Sequence, residues 1–106
     1  MPYDKETLDK VWQHGRVMTD LDSALWRKDE CGAWMRREHY ERKGSEFGWR
    51  IVNVSIGGPD TVDNLRPLQH ANGYDRGEQR AHCKVTADQS NSPATARVRE
   101  PRNRDA

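Results

Sequence analysis

Apolar side chains recur along this chain in short bursts rather than long runs. Leu8, Val11 and Trp12 fall at i, i+3 and i+4, one stripe of an α-helix, and predict a short amphipathic helix over residues 4–14. Asp4 with Thr7 supplies its capping signal, and Gly15 its stop. Leu21, Leu25 and Trp26 predict a second helical turn, started by Asp22 or Ser23, and Arg27-Lys28-Asp29-Glu30 then reads as a solvated charged stretch. Ala33-Trp34-Met35 reads as a short strand or bend leading to Tyr40, and Gly44-Ser45 as a turn. The clearest strand is Trp49-Arg50-Ile51-Val52-Asn53-Val54. Its alternation puts Trp49, Ile51 and Asn53 on one face and Arg50, Val52 and Val54 on the other.

Gly57-Gly58-Pro59-Asp60 is loop punctuation. Asp63-Asn64-Leu65-Arg66-Pro67-Leu68 leads into a predicted helix over about residues 68–76, capped by Asn64 or Asp63, with Pro67 near its start and Gly73 weakening it. Cys83-Lys84-Val85-Thr86 predicts a last short strand. Residues 88–106 contain no aromatic, Leu, Ile or Met and read as a flexible polar tail. The expectation is one α+β domain over residues 1–87 and a tail over 88–106.

Composition narrows the class. The 106 residues are only 33% hydrophobic, so the core must be thin. Lys and Arg number 18 against 17 Asp and Glu, a net charge of +1, which is too small for disorder driven by charge. Four Trp and three Tyr supply buried area that the aliphatic count misses, and Trp12, Trp26 and Trp49 are the expected core fillers. No apolar run approaches the ~18 residues that span a membrane. Met1-Pro2-Tyr3-Asp4-Lys5-Glu6 has no apolar secretory core, so a cytoplasmic location is expected. Cys31 and Cys83 are too few for a disulfide scaffold, and neither has a second Cys nearby to make a zinc knuckle. Two states stay open for them: a bridge in an oxidised sample, or reduced, partly buried thiols in a cytosol.

Arg36-Arg37 and Arg42-Lys43 form the densest basic patch, with Trp34 and Tyr40 interleaved. Such a patch can grip phosphate and stack a base. Glu30, Glu38, Glu41 and Glu46 dilute it, so an ordinary solvated face is the competing reading. His14, His39, His70 and His82 are the candidate bases. Arg97, Arg99, Arg102 and Arg104 add weak phosphate attraction or none.

A strand, a Gly-Gly loop and an Asn-Leu-x-Pro-Leu segment stand here as Gly48-Trp49-Arg50-Ile51-Val52-Asn53, Gly57-Gly58-Pro59-Asp60 and Asn64-Leu65-Arg66-Pro67-Leu68. This layout resembles the HNH endonucleases, the ββα-metal nucleases. Trp26-Arg27-Lys28-Asp29, Cys31-Gly32-Ala33-Trp34 and Cys83-Lys84-Val85-Thr86 fit the same likeness, which covers roughly residues 8–87. The resemblance implies a ββα-metal fold in which an Asp and a helical Asn or His hold one divalent cation and a His activates water. It also implies a structural role for Asn64 in fixing the loop.

This chain departs from the family at each chemical position. Val52 stands for the metal-ligating Asp, Asn53 for the general-base His and Gly73 for the helical Asn. Arg50 replaces an acid, and Arg76 stands where a Lys is expected. A carboxamide can orient water but cannot take its proton. The reading that follows is a catalytically inactive HNH-like module without a cofactor, contacting nucleic acid or a protein partner through Trp34, Arg36, Arg37, Tyr40, Arg42, Lys43 and Arg76. A phage or mobile-element inhibitor of a host nuclease complex is one version. The alternative is a divergent Mg- or Mn-dependent endonuclease using Asn53, His70 and Asn72, with an acid such as Asp60 or Asp75.

Overall fold

A computed structural model describes residues 3–88 and 100–106. Among these residues one α-helix and eight short strands follow in the order α1 (Lys5–Trp12), β1 (Trp26–Lys28), β2 (Trp34–Arg36), β3 (Trp49–Asn53), β4 (Leu65–Gln69), β5 (Gly73–Asp75), β6 (Arg80–His82), β7 (Val85–Ala87) and β8 (Asn103–Asp105). Single 3-10 turns occupy Arg37–His39 and Val62–Asn64. The strands pair as four antiparallel ribbons, β1–β2, β3–β4, β5–β6 and β7–β8. The class is therefore mixed α+β. Among the described residues no helix is long and apolar enough to cross a membrane.

Helix α1 forms where the periodicity places it. The Asp4 carboxylate accepts the Thr7 N–H at 2.8 Å, satisfying a donor that the first turn leaves over. Val11 and Trp12 turn inward. Trp12, Met35 and Trp49 make the core cluster, with Leu8, Tyr40 and Ile51 packed against it. The Trp12 and Trp49 rings lie 5.1 Å apart, and Tyr40 sits 4.9 Å from Trp49. Trp26 begins a strand rather than ending a helix, after a turn in which Asp22 accepts from Leu25, Trp26 and Ala24.

The β3–β4 ribbon is the longest, running from Trp49 opposite Gln69 to Asn53 opposite Leu65. Pro67 fits here because a two-stranded ribbon has an outer edge that needs no N–H. The helix expected at 68–76 is absent. Leu68 and Gln69 complete β4, and Gly73–Asp75 forms β5 against Arg80–His82. The cause is a distant partner: the buried Asn72 side chain accepts the backbone N–H groups of Lys84 and Val85, at 2.7 and 2.9 Å. That wiring outweighs a local helix preference that Asn72 and Gly73 already weaken.

Asp29 corrects a second expectation. It is 2% exposed, not solvated. One carboxylate oxygen accepts from Cys31 and Ala33 N–H, and the other from Gln69 N–H and the Asn72 amide. Burial pushes this carboxyl above the ordinary aspartate range, while its four donors pull it back. Asp29 and Asn72 thus join the β1–β2 turn, the end of β4 and the start of β7. At the same joint Cys31 and Cys83 are bonded as a disulfide, 52 residues apart in sequence.

The expected tail divides in two. Residues 89–99 lie outside the described residues, including the sites of Arg97 and Arg99. Asn103–Asp105, by contrast, is strand β8 paired with β7. The Asn103 amide accepts from Trp34 N–H at 2.7 Å and donates to the Trp34 and Glu46 carbonyls. Arg102 is ion-paired with Glu46 at 3.0 Å.

Candidate functional site

The strand–loop–strand unit from β3 to β4 carries Val52 and Asn53, two of the three positions where the resemblance implied chemistry. Asn53 is the last residue of β3, and its amide is fully engaged with the loop that follows. The amide nitrogen faces the carbonyls of Gly58 and Pro59 at 3.0 and 3.2 Å and the Asp60 carboxylate at 2.9 Å. Its oxygen accepts the Ser55 N–H at 2.8 Å. Asn64 pins the same loop by donating to Pro59 O at 3.0 Å, while its own carbonyl accepts Val54 N–H. Gly57 has φ +69°, a conformation open to glycine, and any Cβ on Gly58 would meet the Ser55 hydroxyl and the Asn64 amide. The pairing of Gly-Gly with two asparagines is therefore a loop lock.

Val52 lies opposite Arg66 and has no donor atom. Gly73 begins β5, with open space where a side chain would stand. A hard divalent cation wants several oxygen ligands, so Val52, Asn53 and Gly73 do not fit one. Of the groups of the alternative site, Asn53 and Asp60 meet at 2.9 Å, while His70 and Asn72 are bonded to other partners. Asn53 faces residues 55–60, His70 Nε2 lies 3.1 Å from Ser45 O, and Asn72, 0% exposed, is spent on Asp29, Lys84 and Val85.

The surface reading also changes. Trp34 is 2% exposed, with the Lys28 ammonium 4.9 Å above its ring and Asn103 clasping its backbone, so it presents no face for a base. Tyr40 packs on Trp49, and its phenol is pushed up to about 12, first by burial and then by the hydrogen bond and charge of Glu41. Arg36 stacks 5.0 Å from Trp26 and pairs with Glu38; Arg37 pairs with Asp9 at 2.6 Å. Arg42 and Lys43 remain exposed, with no ion pair among the described residues. His39 donates to or accepts from the Ser45 hydroxyl at 2.6 Å and is held below the usual imidazole range by burial, then by Arg42 and Arg36. His14 meets Leu65 O at 2.8 Å.

Two clefts flank these groups. One, of about 490 Å³, is lined by Glu41, Lys43, Trp49, Arg50 and His70. Arg50 enters it as a half-buried guanidinium anchored on Asn72 O at 2.7 Å. The sequence marked Arg50 only as a charge reversal; its place on the β3 face opposite Trp49 was the available signal. The other cleft holds Gly73, Tyr74, Asp75, Arg76 and His82. There Asp75, Glu78 and His82 bring a ligand atom each within 4.8 Å of one another. Those groups already close the β5–β6 hairpin: Asp75 accepts Glu78 N–H at 3.0 Å, and Glu78 pairs with Arg80 at 2.7 Å.

Comparison of the chain with protein-family models, curated proteins and solved structures finds no match.

Proposed function

We propose that this protein is a non-catalytic binding module on an HNH-like β-ribbon scaffold, and that it holds nucleic acid. The observation that carries the reading is Asn53. At the position of the family's general base, its amide makes contacts to Ser55, Gly58, Pro59 and Asp60, so it supports a loop rather than a water. Val52 and Gly73 add no ligand beside it. The binding half rests on the exposed Arg42 and Lys43, which have no ion pair among the described residues, next to the half-buried Arg50. Cations without internal partners attract phosphate and release counter-ions on contact.

The test is a pair of assays on the full chain. Plasmid DNA with Mg²⁺ or Mn²⁺ stays uncut. A fluorescent oligonucleotide binds at low salt, with an affinity that falls about two to three decades per decade of salt, as three phosphate contacts require. EDTA-sensitive cutting overturns the non-catalytic half. An oligonucleotide that stays free at low salt overturns the nucleic-acid half.

A further inference from the structure

We propose that the cleft between residues 41–43 and the start of β3 is a binding site for a phosphate group. It goes beyond the preceding reading, because the phosphate can belong to a nucleic-acid strand or to a free nucleotide. Four nitrogen-bearing side chains line the cleft; the Trp49 indole N–H is spent on Arg37 O, and Lys43 and Arg50 have donor capacity left over. Arg50 carries five N–H donors. One terminal nitrogen is anchored on Asn72 O at 2.7 Å, which tethers the guanidinium at the cleft. Among the described residues no carboxylate pairs with Arg50 or with Lys43. A half-buried cation without a counter-ion is costly to hold, and an anion arriving in the cleft relieves that cost. His70 points Nε2 at Ser45 O, 3.1 Å away; a carbonyl can only accept, so this nitrogen carries the proton. In the neutral ring Nδ1 is then an acceptor, so His70 forms part of the wall and the two cations supply the donors.

Glu41 is the one acid in the lining. Its charge helps to raise the Tyr40 phenol and offsets one of the two cations of the lining, Lys43 and Arg50, leaving a net positive wall. The walls are stitched in place. Glu41 N–H donates to Trp49 O at 2.7 Å, and His70 N–H to Gly48 O at 2.9 Å. Gly48 passes so close to Arg42 O that no Cβ fits. Buried Trp49 closes the inner side. The cleft, at about 490 Å³, has the size of small-molecule sites in general. A tethered guanidinium beside a mobile ammonium suits phosphate, with a bidentate grip from the first and a point charge from the second.

The experiment is an amide NMR titration of the full chain with inorganic phosphate, adenosine monophosphate and a ten-nucleotide strand, at matched ionic strength. Phosphate should move the signals of Lys43, Gly48, Arg50 and His70, beyond what chloride does. Lys43→Gln changes an exposed residue, so it keeps the fold; it should weaken phosphate binding several-fold. Arg50→Gln should weaken it about tenfold, and Arg50→Lys should restore part of the loss. A mononucleotide that binds more tightly than the strand assigns the site to free nucleotides; the reverse order assigns it to nucleic acid. Phosphate that moves nothing more than chloride does, or variants that bind as the natural protein does, overturns the site. If the strand still binds in that case, the nucleic-acid reading survives alone. If phosphate binds and the strand does not, the site survives alone.

Discussion

Removing the Cys31–Cys83 bond should cost this protein a large part of its stability. The two sulfurs close a ring across 52 residues of sequence. In the chain-entropy account, a cross-link of that span removes about 14 cal/mol/K from the unfolded ensemble, or about 4 kcal/mol at 25 °C. The folded state has little reason to relax when the bond is lost. Asp29 and Asn72 hold the same joint through buried hydrogen bonds, and Thr86 Oγ1 donates to Cys31 O at 2.8 Å. Nearly all of the effect therefore falls on the unfolded chain. Small domains are stable by only about 5–15 kcal/mol, so about 4 kcal/mol decides whether a core this thin persists at 37 °C. The assay is urea unfolding followed by tryptophan fluorescence, for the oxidised protein and for Cys31→Ser/Cys83→Ser. Trp12, Trp34 and Trp49 are all buried, so unfolding reports strongly. The double variant should lose about 4 kcal/mol, with a thermal midpoint lower by about 15–30 °C. A loss under about 1 kcal/mol refutes the reasoning, because the unfolded chain would then already hold residues 31 and 83 together.

Asn72→Ala leaves Lys84 N–H and Val85 N–H without their acceptor and takes one of two donors from an Asp29 oxygen that Gln69 N–H still serves, and should cost about 3 kcal/mol in the same urea assay. The triple revertant Val52→Asp/Asn53→His/Gly73→Asn should still leave plasmid DNA intact with Mg²⁺ or Mn²⁺, because residue 73 begins a strand rather than a helix turned toward residues 52 and 53; nicking by the revertant would contradict that placement. Asp29 is held above the ordinary aspartate range, so its share of stability is complete below that range and is lost as pH rises through its folded value. Asp75 is held below the range, chiefly by the Glu78 N–H, and works the other way, losing its share as pH falls through its folded value. Carboxyl-carbon NMR should accordingly show Asp75 titrating at lower pH than Asp29.

Local patterns revealed what local forces decide. The i, i+3, i+4 stripe with Asp4 before it specified α1, and alternation from Trp49 to Asn53 specified β3. The Gly57-Gly58 loop and the Asn64 tie were also readable, because their partners lie within a few residues. The misread places depend on partners far along the chain. Leu65 and Leu68, three apart and both buried, mimic a helix stripe, but each is covered from a different side of a strand. Nothing near Asn72 in sequence announces Lys84 and Val85, and nothing near Trp34 announces Asn103. Asp29 sits in a charged run, and only the fold shows four N–H groups converging on it. Arg50 is readable as a charge, but its anchoring on Asn72 O, with no carboxylate pairing it among the described residues, belongs to the tertiary arrangement.

The ring closed by Cys31 and Cys83 also governs what happens if the backbone is cut. Ile56, at 68% exposure, and Gly57 stand on the loop between β3 and β4, well inside that ring. A protease that cleaves there makes two polypeptides that remain one covalent molecule. The nicked product runs as a single species until a thiol reductant is added, and then as two fragments.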